Sequence, residues 1–233
     1  MEISAKKTKL MTNNTSGINT NIKINGQKLE TVTSFKYLGS VTTDEGSKSV
    51  ILSRIAQTTA ALTRLKPVWN DRSISLNSKI PLMRSLVTII FLYVCESWTL
   101  TAELQRRIQA MELRCYCKIL RISYKDHITI EEVRAKIQKA IGPLEDLTTV
   151  KRRKLQWYGH VSRSSGLAKT VLQGAVKGGR RQGRQRKRWK DNISEWTGLE
   201  FGWSQRAVEN REKWRKLVAK SSVVPQRPSL LRD

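Results

Sequence analysis

Between Lys151 and Lys190 the chain carries fourteen Lys or Arg residues and no Asp or Glu. Such a block repels itself, so something must tolerate or reward that field. Its densest part, Lys177 to Lys190, interleaves Gly178, Gly179 and Gly183 with Arg180, Arg181, Arg184, Arg186, Lys187 and Arg188. A polyanion rewards that arrangement best, because each neutralised phosphate releases condensed counterions. Arg outnumbers Lys here, and its planar fork suits phosphate oxygens. The bland alternative is a solvated basic loop.

The block supplies fourteen of the formal net charge of +25, so the basic bias extends through all 233 residues with one sharp maximum. At 39% hydrophobic residues the chain can still bury real cores, as one large domain or two small ones. Cys95, Cys115 and Cys117 form no paired framework, which fits a reducing compartment. Met1 to Lys7 lacks the apolar stretch of a signal peptide, and the apolar run Leu82 to Trp98 is interrupted by Arg84 and Glu96. The expectation is a soluble intracellular protein with no membrane partner. Nuclear access is compatible with the Arg181–Lys190 run.

Local patterns predict a short β-rich start and a helical remainder. Ile22 and Ile24 alternate before Asn25-Gly26, a two-residue turn signal, and Leu29 and Val32 follow. Phe35 to Val41 reads as another short strand, with Gly39 permitting a bulge or a close backbone approach. From Ser47 the period becomes helical: Ile51, Ile55, Thr58, Leu62 and Leu65 share a face, and Pro67 ends the run. A second helix spans about 75–95, where Pro81 predicts a kink or a later start. A third begins after the N-cap candidate Thr101, and a fourth opens on the capping box Thr129-Ile130-Glu131-Glu132 and closes at Gly142-Pro143. A further helix, Leu147 to Tyr158, is expected to show Lys151, Arg152, Arg153 and Lys154 to solvent and to stop at Gly159. Trp189, Ile193 and Trp196 mark the next helical face, and Ser204 can cap a last helix through Val208, Arg211, Trp214 and Val218. The expected class is mainly α.

Catalytic motifs are missing from this reading. Cys115-Tyr116-Cys117 would need His127 or His160 to hold zinc, but a one-residue gap on a helix points two thiols roughly 200° apart. No phosphate-binding glycine loop, nucleophile elbow or acidic metal cluster is recognisable; Asp44-Glu45 reads as a turn and Glu131-Glu132 as capping. Among the aromatics, Trp189, Trp196 and Trp214 read as core, while Trp157 and Tyr158, beside Lys154 and His160, are the stacking candidates.

Almost the whole chain resembles the C-terminal part of the endonuclease/reverse transcriptase protein of non-LTR (LINE-like) retrotransposons. Lys6 to Met11 is similar to the palm segment after that family's catalytic carboxylates, and Phe35 to Ser40 to its primer-grip hairpin. Leu92-Tyr93-Val94-Cys95-Glu96-Ser97-Trp98-Thr99-Leu100 resembles the thumb signature, in which the family usually has Gly in place of Val94. Arg152 to Val161 resembles the later Trp-x-Gly-His signature, and Gly179 to Arg184 with Trp189 to Ile193 its Arg/Gly run and following helix.

The resemblance implies a palm remnant (1–46), a helical thumb-like domain (47–142), a basic helical module (143–220) and a loose tail (221–233). It implies primer-grip roles for Lys9, Tyr37, Leu38 and Gly39. The family's Asp-Asp pair and upstream Asp, which bind two magnesium ions, lie before the first residue of this chain, so no cofactor and no polymerase activity are expected of it alone. Binding to RNA or DNA backbone is expected through Lys151, Arg152, Arg153, Lys154, Trp157, His160, Arg180, Arg181, Arg184, Arg186, Lys187 and Arg188. Two alternatives stand beside this: the chain is part of an active RNA-directed DNA polymerase whose palm lies upstream, or its basic block binds an acidic protein partner.

Overall fold

The computed structural model describes residues 8–11, 21–37, 39–43, 46–143, 145–174 and 187–223. The fold is mainly α, and the chain divides into two compact units, residues 1–54 and 55–233. From residue 55 onward, the residues assigned from sequence to the thumb-like and basic modules therefore share the second unit, while 47–54 fall in the first.

The first unit carries three two-stranded pairings. Strand β1 (Lys9–Leu10) runs parallel to β4 (Glu30–Thr31), where the Lys9 ammonium meets the Glu30 carboxylate. Strands β2 (Lys23–Ile24) and β3 (Gln27–Lys28) form a hairpin around Asn25 and Gly26. Both turn residues have positive φ, 50° and 77°, the requirement of a primed two-residue turn. The stretch read as one strand with a bulge is instead a second hairpin, β5 (Ser34–Tyr37) with β6 (Ser40–Thr43), in the register Ser34↔Thr43 to Tyr37↔Ser40. Gly39, at φ 77°, is its turn residue and not a bulge. The Phe35 and Tyr37 rings lie 6.5 Å apart, nearly parallel, and Tyr37 is exposed. Leu38 and the Asp44-Glu45 pair lie outside the described residues.

Helix α1 (Ser47–Arg64) leads from the first unit into the second, and α2 (Lys66–Asn70) follows. Lys79 of α3 (Leu76–Met83) is buried and donates to the carbonyls of Trp69 (3.0 Å) and Asp71 (2.5 Å), satisfying the free C-terminal oxygens of α2. Ser75 caps α3, so that helix does not start late. Pro81 sits within it, and three residues on the backbone changes to a π-helical turn, Arg84–Thr88, before α4 (Ile89–Phe91). Val94 then reverses the chain with a left-handed backbone, φ 58° and ψ 26°, ahead of the turn Cys95–Ser97.

Helix α5 (Ala102–Ile119) is capped by Thr101, and α6 (Ile130–Ala140) by the reciprocal Thr129–Glu132 box that the sequence announces. The buried Glu112 of α5 performs a long-range cap. Its Oε1 accepts from the backbone N–H groups of Glu145 (2.6 Å) and Asp146 (3.1 Å), where α7 (Asp146–Arg163) has no side-chain cap of its own.

Around α7 pack α8 (Leu167–Gln173), α9 (Asp191–Thr197), α10 (Phe201–Glu209) and α11 (Arg211–Ser222). Their shared core is Leu155, Tyr158, Ile193, Val208, Trp214 and Val218, with Trp189 and Trp196 packed at its edge, as expected for those indoles. Three boundaries differ from expectation. Helix α7 runs through Gly159 to Arg163, because Gly159 accommodates a neighbouring helix and does not end its own. A Cβ at Gly159 would stand 2.7 Å from Trp214 Cδ1 and nearer still to Nε1. Ser204 is not a cap: it is buried inside α10 and bonded to the Tyr158 hydroxyl (2.7 Å). Asn210 separates α10 from α11 and caps the latter by accepting from the Lys213 N–H (3.0 Å). Among the described residues no helix is long and apolar enough to cross a membrane.

Candidate nucleic-acid interface

The four basic residues at the start of the charged block do not share one environment. On a helix, positions 147, 150, 151, 154, 155, 158 and 161 form a single inward stripe. Lys151 and Lys154 lie on it: Lys151 is 8% exposed and Lys154 0%. Neither is an outward phosphate contact, which corrects the sequence expectation for both. The Lys154 Nζ donates to the Trp98 carbonyl (2.7 Å) and to Asn192 Oδ1 (2.9 Å), and lies 4.5 Å from the centre of the Trp189 ring. Burial pushes its pKa down to about 6; the positive charge of Lys187 adds to the shift, while Glu195 and Asp191 oppose it. Burial also lowers the Lys151 pKa, and its Nζ lies 5.4 Å from the Trp196 ring centre.

Lys154 belongs to a node that joins three separate stretches of chain. Asn192, fully buried, imitates a backbone partner for Leu100: its Nδ2 donates to the Leu100 carbonyl (2.8 Å), and its Oδ1 accepts from the Leu100 N–H (2.7 Å). Trp189 Nε1 donates to the Glu96 carbonyl (2.8 Å), and Arg153 Nη1 to that of Leu92 (3.1 Å). The stretches Leu92–Leu100, Arg152–Val161 and Trp189–Ile193, which carry the sequence resemblance, thus meet in one hydrogen-bonded junction. Tyr158 is fully buried between Trp189, Phe201 and Trp214, so it is no stacking platform. Trp157 is 40% exposed, with Trp189 edge-on at 5.4 Å.

The opposite stripe of α7 faces outward. Arg152, Gln156, His160 and Arg163 follow one another at helical spacing, and α11 sets Arg211 and Arg215, one turn apart, beside them. Together they line a cleft of about 400 Å³ whose floor includes Trp214 and Val218 and whose lining holds no carboxylate. The close approach of Trp214 to Gly159 brings the two helices together. Among the described residues Arg152, Arg163, Arg211 and Arg215 make no ion pair. Burial lowers the Arg163 pKa, and the positive charges of Arg211 and Arg215 lower it further. One Nη of Arg163 donates to the Val208 carbonyl (3.0 Å), which fixes this guanidinium among like charges. Unopposed guanidinium groups around a concave surface bind anions by forked hydrogen bonds and Coulomb attraction.

The other expected contacts divide. Lys187 pairs with Glu195, and the Arg188 N–H donates to Asp191 Oδ2 (2.7 Å) at the start of α9. Arg180, Arg181, Arg184 and Arg186 lie outside the described residues. Lys9, paired with Glu30, and Tyr37 and Gly39 of the β5–β6 hairpin belong to the first unit and are not part of this cleft. Gln156, Arg163, Arg211 and Arg215 were not anticipated. The α7 stripe was legible as 152, 156, 160 and 163, but its pairing with α11 depends on the helix crossing. Cys115 is buried against Met111 Sδ (3.7 Å), and burial pushes its thiol up to about 12, the behaviour of a core residue. Among the described residues no group of three or more His, Cys, Asp or Glu could hold a metal ion.

Comparison with protein-family models, with curated proteins and with solved structures finds no match for this chain.

Proposed function

We propose that this chain binds RNA or DNA backbone without strong sequence preference, and that it derives from the C-terminal part of a non-LTR retrotransposon reverse transcriptase. The role proposed for it is to grip template–primer. The observation that carries the binding reading is the carboxylate-free cleft lined by Arg152, His160, Arg163, Arg211 and Arg215. Val94 supports the family reading. The family usually has glycine at this position of the thumb signature, and here the residue adopts the left-handed conformation that glycine enters without steric cost.

The test is the affinity for a fluorescent RNA–DNA hybrid measured by anisotropy across a salt series. Log K should fall linearly with log salt, and each arginine to glutamine change at Arg152, Arg211 or Arg215 should reduce the slope by up to about 0.9, the value of one phosphate contact. An affinity that hardly changes between low and physiological salt would refute the proposal. So would displacement of the hybrid by an acidic polypeptide but not by excess RNA, the pattern of a protein-interaction module.

A further inference from the structure

Helix α10 turns its inner face, with Ser204 and Val208, into the core, yet its outer face presents Trp203 at 60% exposure. An indole left in water adds little to folding, because its apolar surface stays hydrated. Its neighbour Gly202 leaves open space where a side chain would otherwise stand. The Arg206 guanidinium lies 5.0 Å from the Trp203 ring centre, which couples the ring to a cation. Around the indole opens a depression of about 900 Å³ bordered by Arg163, Lys169, Arg206 and Arg211, with Glu200 and Glu209 also on its wall. Arg163 and Arg211 border this depression and the arginine cleft alike, so the two sites form one continuous surface.

Resting on the backbone-binding reading, we infer that Trp203 is the stacking platform for an unpaired nucleotide whose backbone continues onto Arg163 and Arg211. A flat base suits an exposed indole backed by a guanidinium, and base–aromatic stacking tolerates any sequence because every base has a π-face. Phosphates pair with the Arg163 and Arg211 guanidinium groups, while Glu200 and Glu209 repel them. Those carboxylates can instead accept hydrogen bonds from exocyclic amino groups of a base. A blunt duplex keeps its bases stacked on each other and has nothing to place on Trp203. The inferred ligand is therefore a single-stranded segment next to the backbone tract.

The test compares a single strand of about ten nucleotides, an OB-fold-scale site size, with a blunt duplex of the same length. Anisotropy titrations would use the full chain, Trp203→Ala and Trp203→Phe. Trp203→Ala should weaken single-strand binding about tenfold, leave duplex affinity within about twofold, and leave the salt slope unchanged, because stacking releases no counterions. Trp203→Phe should retain most of the single-strand affinity. Circular dichroism should be unaltered, since the side chain is exposed. Unchanged single-strand affinity in Trp203→Ala, or an equal loss on duplex, overturns the stacking inference. Arg211→Gln and Arg215→Gln separate the two levels. If they weaken both ligands while Trp203→Ala weakens neither, stacking fails and backbone binding stands; if they weaken neither ligand, the backbone reading itself fails.

Discussion

In an exposed helix interior, glycine to alanine stabilises by up to about 1 kcal/mol. At Gly159 the sign should reverse. The added methyl would fall 2.7 Å from Trp214 Cδ1 and closer to Nε1, inside a buried crossing of α7 and α11. Trp214 cannot yield freely: it is 3% exposed, packs 5.6 Å from the Tyr158 ring, and donates its Nε1–H to the Leu155 carbonyl at 3.1 Å. Overpacking of this kind costs about 1–3 kcal/mol. Pulling the indole off Leu155 leaves a buried donor and acceptor unsatisfied, for about 1–3 kcal/mol more. Set against the propensity gain, Gly159→Ala should destabilise by about 1–5 kcal/mol, a fall in Tm of roughly 2–20 °C for a unit of this size. Urea denaturation followed by far-UV circular dichroism measures the change. Gly202→Ala, on the open face of α10, is the internal control and should be neutral or stabilising by up to about 1 kcal/mol. In a Trp214→Phe background, where the clashing indole nitrogen is gone, the added cost of Gly159→Ala should shrink by at least about 1 kcal/mol. A Gly159→Ala protein as stable as the parent would refute the close-approach argument.

Val94→Gly should stabilise the second unit by about 1–2 kcal/mol, because a β-branched residue at φ 58° gives up left-handed strain; an unchanged urea midpoint would contradict this. Lys154→Met should flatten the pH dependence of stability between about 6 and 10.5. In that window the unfolded chain holds a proton that the buried amine lacks, so the parent gains stability as pH rises and carries the full penalty below about 6. Denaturation midpoints of parent and variant at several pH values test this, and parallel curves would count against it. Glu112→Ala should cost about 2 kcal/mol by uncapping α7, whereas Glu112→Gln keeps the accepting oxygen and should cost little in thermal melts near neutral pH. Burial and the neighbouring Asp146 raise the Glu112 pKa, so the folded state keeps a proton that the unfolded chain has lost. Parent stability therefore falls as pH rises from the ordinary carboxylate range through neutrality, and Glu112→Gln should reduce that decline to the part due to Asp146, whose pKa burial also raises.

Much of the fold was legible from short-range rules. The Asn25-Gly26 turn, the Thr101 cap and the Thr129–Glu132 box all depend on residues within about one helical turn or one hairpin of each other, whereas of the expected Trp189, Ile193 and Trp196 face only Ile193 and Trp196 lie on α9, Trp189 preceding it. The site was less legible. Reading Lys151 to Lys154 as one outward charged run treated basic residues as surface by type. Helical phase places Lys151 and Lys154 four and seven residues along from Leu147, on the apolar stripe. That phase was available in the sequence. What made the burial affordable was not: the Trp98 carbonyl, the Asn192 amide and the Trp189 ring come from distant stretches.

The sequence by itself therefore determined the mainly helical class, most caps and turns, and a basic character strong enough to point toward polyanions. Those are properties of local periodicity and total charge. The tertiary structure decided which cations face solvent, why α7 passes through Gly159 uninterrupted, and how Arg152 comes to share a cleft with Arg211 and Arg215. Burial and charge clustering depend on which helices cross, and the α7–α11 crossing is set by side-chain volume at Gly159 and Trp214.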